Sequence, residues 1–268
     1  MKKANNLLEN YFVNSTWLGN AGFIIGSLLA ANIVTAFSMS VLWHVSGIII
    51  FFSGMILFFA PDCSPRKEKE TSVMNQMKQS VNYVRKHPTI RPLIIATLFF
   101  VLSLSMVGFL FQPYLFEFGV PDSFYGYTLS LGALLSVAAP ILAKKIKQRI
   151  RNLLIYFAAT ILILICVMLI GVITTNQFIA MLVIALVYSA MSYLTPLEEN
   201  FFQQFLPSKM RSTIGSVKSM GAEIASAMAI LIAGVLSSFL SVRMIFLLSA
   251  VLLLPTLLIY FRLSKNHT

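Results

Sequence analysis

The sequence is poor in cysteine, histidine and acidic residues. Its 268 residues include two Cys, three His and nine Asp or Glu. Cys63 lies in a polar segment and Cys166 within an apolar run, so the two form neither a metal-ligand pair nor a plausible disulfide. Because no cluster of Cys and His occurs, we predict no metal site and no cofactor.

The motifs of common enzymes and of nucleotide-binding proteins are also missing. The sequence contains no HExxH or GxSxG motif and no pair of Asp residues inside an apolar run. It contains no glycine-rich nucleotide loop either, so the chain has no site of its own for ATP-driven transport. An intramembrane enzyme is therefore the least favoured of three functional interpretations.

Apolar residues, in contrast, are abundant. Hydrophobic residues make up 58% of the chain and charged residues 11%, with a mean hydropathy of +0.84. A single soluble core cannot bury so much apolar surface, so a lipid bilayer is the expected surrounding. The net charge of +11 comes from basic residues in short clusters between apolar runs, which is typical of cytoplasmic loops and argues against a nucleic-acid partner.

The chain divides into eight apolar runs, two before and six after a polar interval at residues 61–91. This interval holds seven of the twenty Lys and Arg residues, and each apolar run is about as long as the ~20 residues that cross a bilayer. We predict an all-α membrane protein with a tail and two helices in residues 1–60, a cytoplasmic linker with a surface helix in 61–91, and a six-helix bundle in 92–268. The predicted spans are residues 17–37, 41–60, 91–116, 124–143, 152–174, 178–197, 219–240 and 244–261.

The basic residues also predict the orientation of these spans. Nineteen of the twenty fall in the predicted inner tails, inner loops or their membrane margins, and only Arg243 falls in an outer loop. The positive-inside rule therefore places both termini in the cytoplasm. We expect a multi-pass protein of a bacterial plasma membrane.

Residue spacing within these segments predicts several helix contacts. Apolar residues from Val73 to Val84 recur at helical spacing, which predicts a helix lying on the membrane surface and ending at His87-Pro88. Small residues at every fourth position allow a second helix to approach closely. Such rows occur in the first and seventh spans, as Gly22, Gly26 and Ala30, and as Gly221, Ala225 and Ala229.

Glu223 is the acidic residue that lies well inside an apolar run. Helical spacing places it on a polar stripe with Ser226 and away from the small residues of its span. Because a charge facing lipid costs several kcal/mol, we predict that it faces an internal cavity and binds a cation or proton. Alternatively, it reaches cytoplasmic water or pairs with a basic residue on another helix. Lys218 is expected to extend to the cytoplasmic interface.

Further candidates for a polar cavity are residues with hydrogen-bonding side chains inside the spans. They are Gln112, Tyr114, Tyr188 and Tyr193. For the tyrosines the alternative is structural, because a core hydroxyl often bonds to a neighbouring helix. The charged residues Glu198 and Glu199 fall outside the predicted sixth span, in an inner loop that surrounds Pro207.

The order of these segments resembles the second half of a major facilitator superfamily permease. A surface helix ends in RKHPTIRPL, six spans follow, and YLTPLEENFFQQFLPSKMRSTIGSVKSMG joins two of them. The loop residues Arg211, Thr213 and Ser216 match the family's usual passage into helix eleven. The basic run that begins at Lys144 is similar to the loop between helices eight and nine, and the two spans before the linker resemble helices five and six.

This resemblance implies secondary active transport of a small solute by two helical bundles that rock against each other. Helices one to four of the family have no counterpart in the sequence, which implies a truncated or split chain and a separate chain that supplies the missing helices. The alternative is a membrane interaction or assembly protein that uses the same bundle without transporting.

Overall fold

The computed structural model describes residues 2–37, 39–59, 73–149 and 152–266. Within these ranges the chain is helical and contains no strand. The first part of the predicted linker, including Cys63, and Arg151 of the basic run lie outside the described residues. The ten α-helices of the described ranges are α1 (Lys2–Ala36), α2 (Met39–Phe58), α3 (Val73–Lys86), α4 (Ile90–Glu117), α5 (Ser123–Arg149), α6 (Leu153–Ile173), α7 (Gln177–Gln203), α8 (Arg211–Leu236), α9 (Val242–Leu252) and α10 (Leu254–Asn266).

The predicted all-α membrane fold is confirmed. Within the described residues, six segments are long and apolar enough to cross a membrane: Leu18–Ala36, Ile90–Glu117, Leu153–Ile173, Gln177–Gln203, Arg211–Leu236 and Val242–Lys265. Two further helices, α2 and α5, lie at the positions of the second and fourth predicted spans. The predicted domain boundaries stay a prediction.

The bundle is built around α4, which packs against α7, α8, α9 and α10. On the other side of these helices, α6 packs against α7, α9 and α10, and the shared core is mainly aliphatic and aromatic. Polar residues fix where helices begin: Asn152 accepts a hydrogen bond from the backbone N–H of Leu154, and Asn176 does so from that of Phe178. We call the side of the bundle from which α4 starts the α3 end, and the opposite side the far end.

The small-residue row of α8 packs closely, as predicted. Ala225, Ala229 and Ala233 are buried against α4, and a Cβ atom on Gly221 would lie 3.2 Å from Leu98 of α4.

The last predicted span differs from the prediction in one respect, because it divides into two helices, α9 and α10. Pro255 follows the break, and proline cannot donate the backbone hydrogen bond that a continuous helix needs.

The same prediction is wrong for the first span. A Cβ atom added to Gly22 or Gly26 would have no neighbour within 4 Å, so no described helix packs on these two glycines, although Ala30 of the same row is partly buried. Instead, α1 packs on α5 and α7 through Asn20, Phe23 and Ser27. Side-chain hydrogen bonds decide which face of α1 is used, because polar side chains in an apolar setting need partners.

Helix α3 forms where predicted, but only part of its apolar stripe packs on the bundle. Val84 is partly buried against the core. Val81 of the apolar stripe is exposed, whereas Ser80 is buried and the Tyr83 hydroxyl donates to the backbone oxygen of Phe205 at 3.2 Å. The helix contacts α8 and α4. Tyr83 packs beside Val84, because an aromatic residue with a hydroxyl can fill an apolar site and bond to a backbone carbonyl at once.

His87 links the end of α3 to the start of α4. Its Nδ1 atom accepts hydrogen bonds from the backbone N–H groups of Thr89 and Ile90, both at 3.2 Å, and so caps α4. The ring packs against Tyr83 and Phe205, with centroids 5.4 and 6.0 Å away. Burial lowers the pKa of the His87 imidazole, which favours the neutral ring that this cap requires.

Acidification should therefore weaken this cap. Because the folded-state pKa is lowered, the unfolded chain binds the proton more readily, and the free energy of unfolding falls as the pH drops below about 6.5. His87→Asn keeps an acceptor without a titrating ring, so its melting temperature should fall less than that of the unmodified protein between about pH 7.5 and about pH 5.5. Equal pH dependence of the two proteins in thermal unfolding would contradict the assigned cap.

Candidate functional site

A buried charge cluster lies between α4, α7 and α8 near the α3 end. It exists because α7 continues to Gln203 and α8 begins at Arg211, so the loop between them is much shorter than expected. Glu198 and Glu199 are therefore helical residues. Lys218 of α8 lies between them, and its predicted extension to the interface is wrong.

The contacts within this cluster are short and specific. Lys218 Nζ lies 2.8 Å from Glu199 Oε2 and 3.5 Å from Glu198 Oε1. The Thr97 hydroxyl of α4 lies in hydrogen-bonding position 2.8 Å from the same Glu198 oxygen. The Gln203 amide donates to Glu199 Oε1 at 2.9 Å. The cluster thus joins three helices through four polar side chains and the Lys218 ammonium group.

Little of the cluster is accessible. The side chain of Glu198 is 4% exposed, that of Lys218 11% and that of Glu199 24%. The ammonium group of Lys218 also lies over the ring of Phe202, 4.5 Å from its centroid. In the part of the chain that the structure describes, two polar atoms are buried without a hydrogen-bond partner: Oε1 of Gln203, which belongs to the cluster, and the hydroxyl of Tyr260 on α10.

The cluster carries a net formal charge of −1, from the two carboxylates of Glu198 and Glu199 and the ammonium group of Lys218.

Sequence reasoning missed this cluster because it ended the sixth span at Leu197. Pro196 precedes that point, but a proline inside α7 does not end this helix. A signal was nevertheless present. Two consecutive carboxylates directly after one apolar run and a lysine directly before the next are suited to pairing within a membrane, where an unpaired charge is costly.

Glu223 lies on the exposed face of α8, opposite the contact with α4. Its predicted neighbour Ser226 is partly buried and accepts a hydrogen bond from the Ser105 hydroxyl of α4 at 2.9 Å. The two residues of the predicted stripe therefore face different surroundings. Glu223 points away from the bundle, and Ser226 lies in a helix contact.

Tyr114 and Gln112 are neighbours in sequence but not in environment. Tyr114 is fully buried, its hydroxyl donates to the backbone oxygen of Gly171 at 2.7 Å, and its ring stacks on Phe246 with centroids 4.6 Å apart. Gln112 is exposed near the far end of α4. Tyr114 thus has the surroundings of a core residue, and its hydroxyl joins α4 to α6.

Tyr188 and Tyr193 both lie on α7 but face different neighbours. Tyr188 stacks on Phe23 of α1, with ring centroids 5.0 Å apart. Tyr193 borders a cleft between α5 and α6 whose floor is α7, and its hydroxyl donates to the backbone oxygen of Leu135 at 3.1 Å. We call this cavity of about 300 Å³ the α5–α6 cleft.

The six residues that were predicted to line a polar cavity do not come together. Within the described residues, no hydrogen bond or ring contact joins any two of them.

The loop motif lies at the start of α8. The Arg211 guanidinium donates to the backbone oxygen of Gln203 at 3.5 Å, at the end of α7. Thr213 is partly buried, and the Ser216 hydroxyl donates to the backbone oxygen of Ser212 at 3.0 Å. The motif thus connects α7 and α8 immediately beside the charge cluster, and it places Lys218 two turns into α8.

Comparisons with known proteins agree with this helical architecture. A family model described as Major Facilitator Superfamily matches residues 14–217. An uncharacterized MFS-type transporter of Bacillus subtilis (strain 168), YfiS, is 25% identical over 158 residues, which are 56% of this chain and 37% of that protein. The match therefore spans well under half the length of this relative.

Proposed function

Because the chain belongs to the major facilitator superfamily, a family of membrane transporters, we propose that it takes part in secondary active transport of a small solute. It is a multi-pass integral membrane protein. The transporting unit contains a second helical bundle that rocks against α4–α10. The low coverage of the relative YfiS supports a transporting unit larger than these helices.

The observation that carries this proposal is the position of Glu223. It is exposed in the middle of α8, a helix with apolar residues such as Ile224 and Met228 on the same exposed side. An ionised side chain facing lipid costs about 3 kcal/mol or more. A polar space between two bundles avoids this cost, because there the carboxylate meets water, solute or a partner side chain.

Three other predicted residues have places in this proposal. Tyr188 and Phe23 form a contact between α1 and the bundle, so a rocking motion of α1 would change the exposure of the Tyr188 ring. Gln112 is exposed near the far end, where it can meet a solute that enters from that side. The hydrogen bond from Arg211 to the backbone oxygen of Gln203 joins the end of α7 to the start of α8, so that the two helices move together when a gate opens or closes.

Glu223→Gln should abolish saturable solute uptake, or its pH dependence, without loss of the folded protein. The measurement is uptake of a panel of radiolabelled sugars, amino acids, organic anions and organic cations into energised vesicles that contain the complete transporter. Asp122→Asn is the matched control, because Asp122 is an exposed carboxylate between α4 and α5 and its replacement should leave uptake unchanged.

Unchanged uptake and pH profile in Glu223→Gln would show that this carboxylate is not part of the transport path. Absence of saturable uptake of every solute by the unmodified transporter would instead favour the non-transporting assembly protein.

A further inference from the structure

The α5–α6 cleft has a shape that differs from that of a pocket for a polar solute. Its walls include Leu135 of α5 and Tyr156 and Val167 of α6, and Ala190 of α7 lies on its floor. Tyr156 and Val167 are eleven residues apart, so the cleft extends about 16 Å along α6 at 1.5 Å per residue. It therefore runs along the helices rather than across them.

The hydroxyl groups of the cleft donate their protons to the protein itself. Tyr156 donates to the backbone oxygen of Tyr193 at 3.0 Å, and Thr160 to that of Tyr156 at 3.0 Å. Tyr193 and Ser189 likewise donate to the backbone oxygens of Leu135 and Leu186. No hydroxyl proton remains for a ligand, so the cleft suits a hydrocarbon chain better than a sugar or an amino acid.

Helix α5 continues for fourteen residues beyond Leu135, and its last turns are rich in basic residues. Helix α5 ends and helix α6 begins on the α3 side of the bundle. The last turns of α5 carry Lys144, Lys145, Lys147 and Arg149, and the Lys145 side chain is exposed. From residue 123 to residue 197 the sequence contains no Asp or Glu. The nearest carboxylates in sequence, Glu198 and Glu199, already contact Lys218.

We propose that the α5–α6 cleft binds one acyl chain of an anionic phospholipid, whose headgroup phosphate lies on the basic residues at the end of α5. Leu135 of the cleft and Lys144 lie nine residues apart on α5, about 14 Å along the helix, so one extended phospholipid can reach both. Basic side chains at the membrane surface attract anionic headgroups, whereas a zwitterionic lipid gains little from them. The proposal does not depend on transport, because lipid binding needs neither a solute nor a second bundle.

Native mass spectrometry of the purified, delipidated chain tests this proposal. Phosphatidylglycerol and phosphatidylcholine with identical acyl chains are added in turn, and we expect the phosphatidylglycerol adduct at about tenfold lower lipid concentration. Replacing Lys144, Lys145 and Lys147 together by Gln should remove most of this preference. The matched control replaces Lys78, Arg85 and Lys86, three exposed basic residues of α3, by Gln. This variant should retain the preference for phosphatidylglycerol.

A second pair of variants tests the cleft itself. Ala190→Phe places a ring on the floor of the cleft and should reduce phosphatidylglycerol binding by about tenfold, since a filled cavity excludes the acyl chain. Ala227→Phe, on the exposed face of α8, is the control and should bind as the unmodified chain does. Thr160→Phe serves the same purpose if gel filtration shows that Ala190→Phe is not monodisperse.

Three results would overturn the proposal. The first is equal binding of the two lipids, and the second is an equal loss of binding in the α3 control. The third is unchanged binding when a folded variant has the cleft filled, which would place the lipid elsewhere on the surface.

Discussion

Replacing Lys218 by methionine should destabilise the protein more than the loss of any exposed charge. Lys218 is the cation that faces Glu198 and Glu199, and its removal leaves the buried Glu198 carboxylate with Thr97 as its remaining described partner. Breaking a buried ion pair in this way typically costs about 3–5 kcal/mol of unfolding free energy. The measurement is the thermal unfolding of the purified protein in detergent.

Two further variants separate the charge effect from a general loss of packing. The triple variant Glu198→Gln, Glu199→Gln, Lys218→Met removes all three charges of the cluster and should recover much of the lost stability, because no uncompensated charge is left there. Arg243→Met breaks the more exposed pair with Glu117, whose atoms lie 2.8 Å apart, and should cost about 1 kcal/mol or less. If Lys218→Met is as mild as Arg243→Met, the buried pair does not form in the membrane protein.

Replacing Gly132 by leucine should separate α5 from α7. A Cβ atom at this position would lie 2.9 Å from the backbone oxygen of Ala185 and 3.2 Å from Tyr188, so the two helices touch where Gly132 has no side chain. A backbone oxygen cannot move aside without moving α7. We expect a loss of about 3 kcal/mol or more in thermal unfolding, since overpacking here displaces a whole helix.

Gly108 of α4 offers the matched control. A Cβ at Gly108 has no neighbour within 4 Å, so Gly108→Leu should be neutral or slightly stabilising through its better helix propensity. Gly132→Ala is the milder test if Gly132→Leu does not fold, and it should still lower the melting temperature. A neutral Gly132→Ala, together with a neutral Gly132→Leu, would mean that α5 and α7 do not approach each other this closely.

The same contact positions a predicted site residue. Because Gly132 lets α7 approach α5, Tyr188 lies across α5 and its ring reaches Phe23 of α1. Gly132→Leu should therefore also disturb the contact of α1 with the bundle. The two glycines that sequence spacing singled out in α1 have no such neighbour.

The number, order and approximate positions of the apolar helices follow from the sequence by itself. Each helix must be about long enough to cross the bilayer and must satisfy its own backbone groups, so a run of apolar residues determines it locally. The helix stop before Pro88 is also local, because proline disfavours a helical conformation of the residue before it. Family membership also followed from the order of segments and the motif that includes Arg211.

Only the tertiary structure decided which polar side chains meet. Each residue of a helix is rotated by about 100° and shifted by about 1.5 Å relative to the one before it, so a side chain can be placed only if it is known to be helical. The sequence prediction ended α7 at Leu197 rather than Gln203, and it therefore could not place Glu198 and Glu199 next to Lys218. Spacing alone could not show that Gly132 is packed and Gly22 is open, because both depend on how helices distant in sequence cross. Glu223 and Ser226 share a stripe in projection, yet the position of α4 buries one and leaves the other exposed.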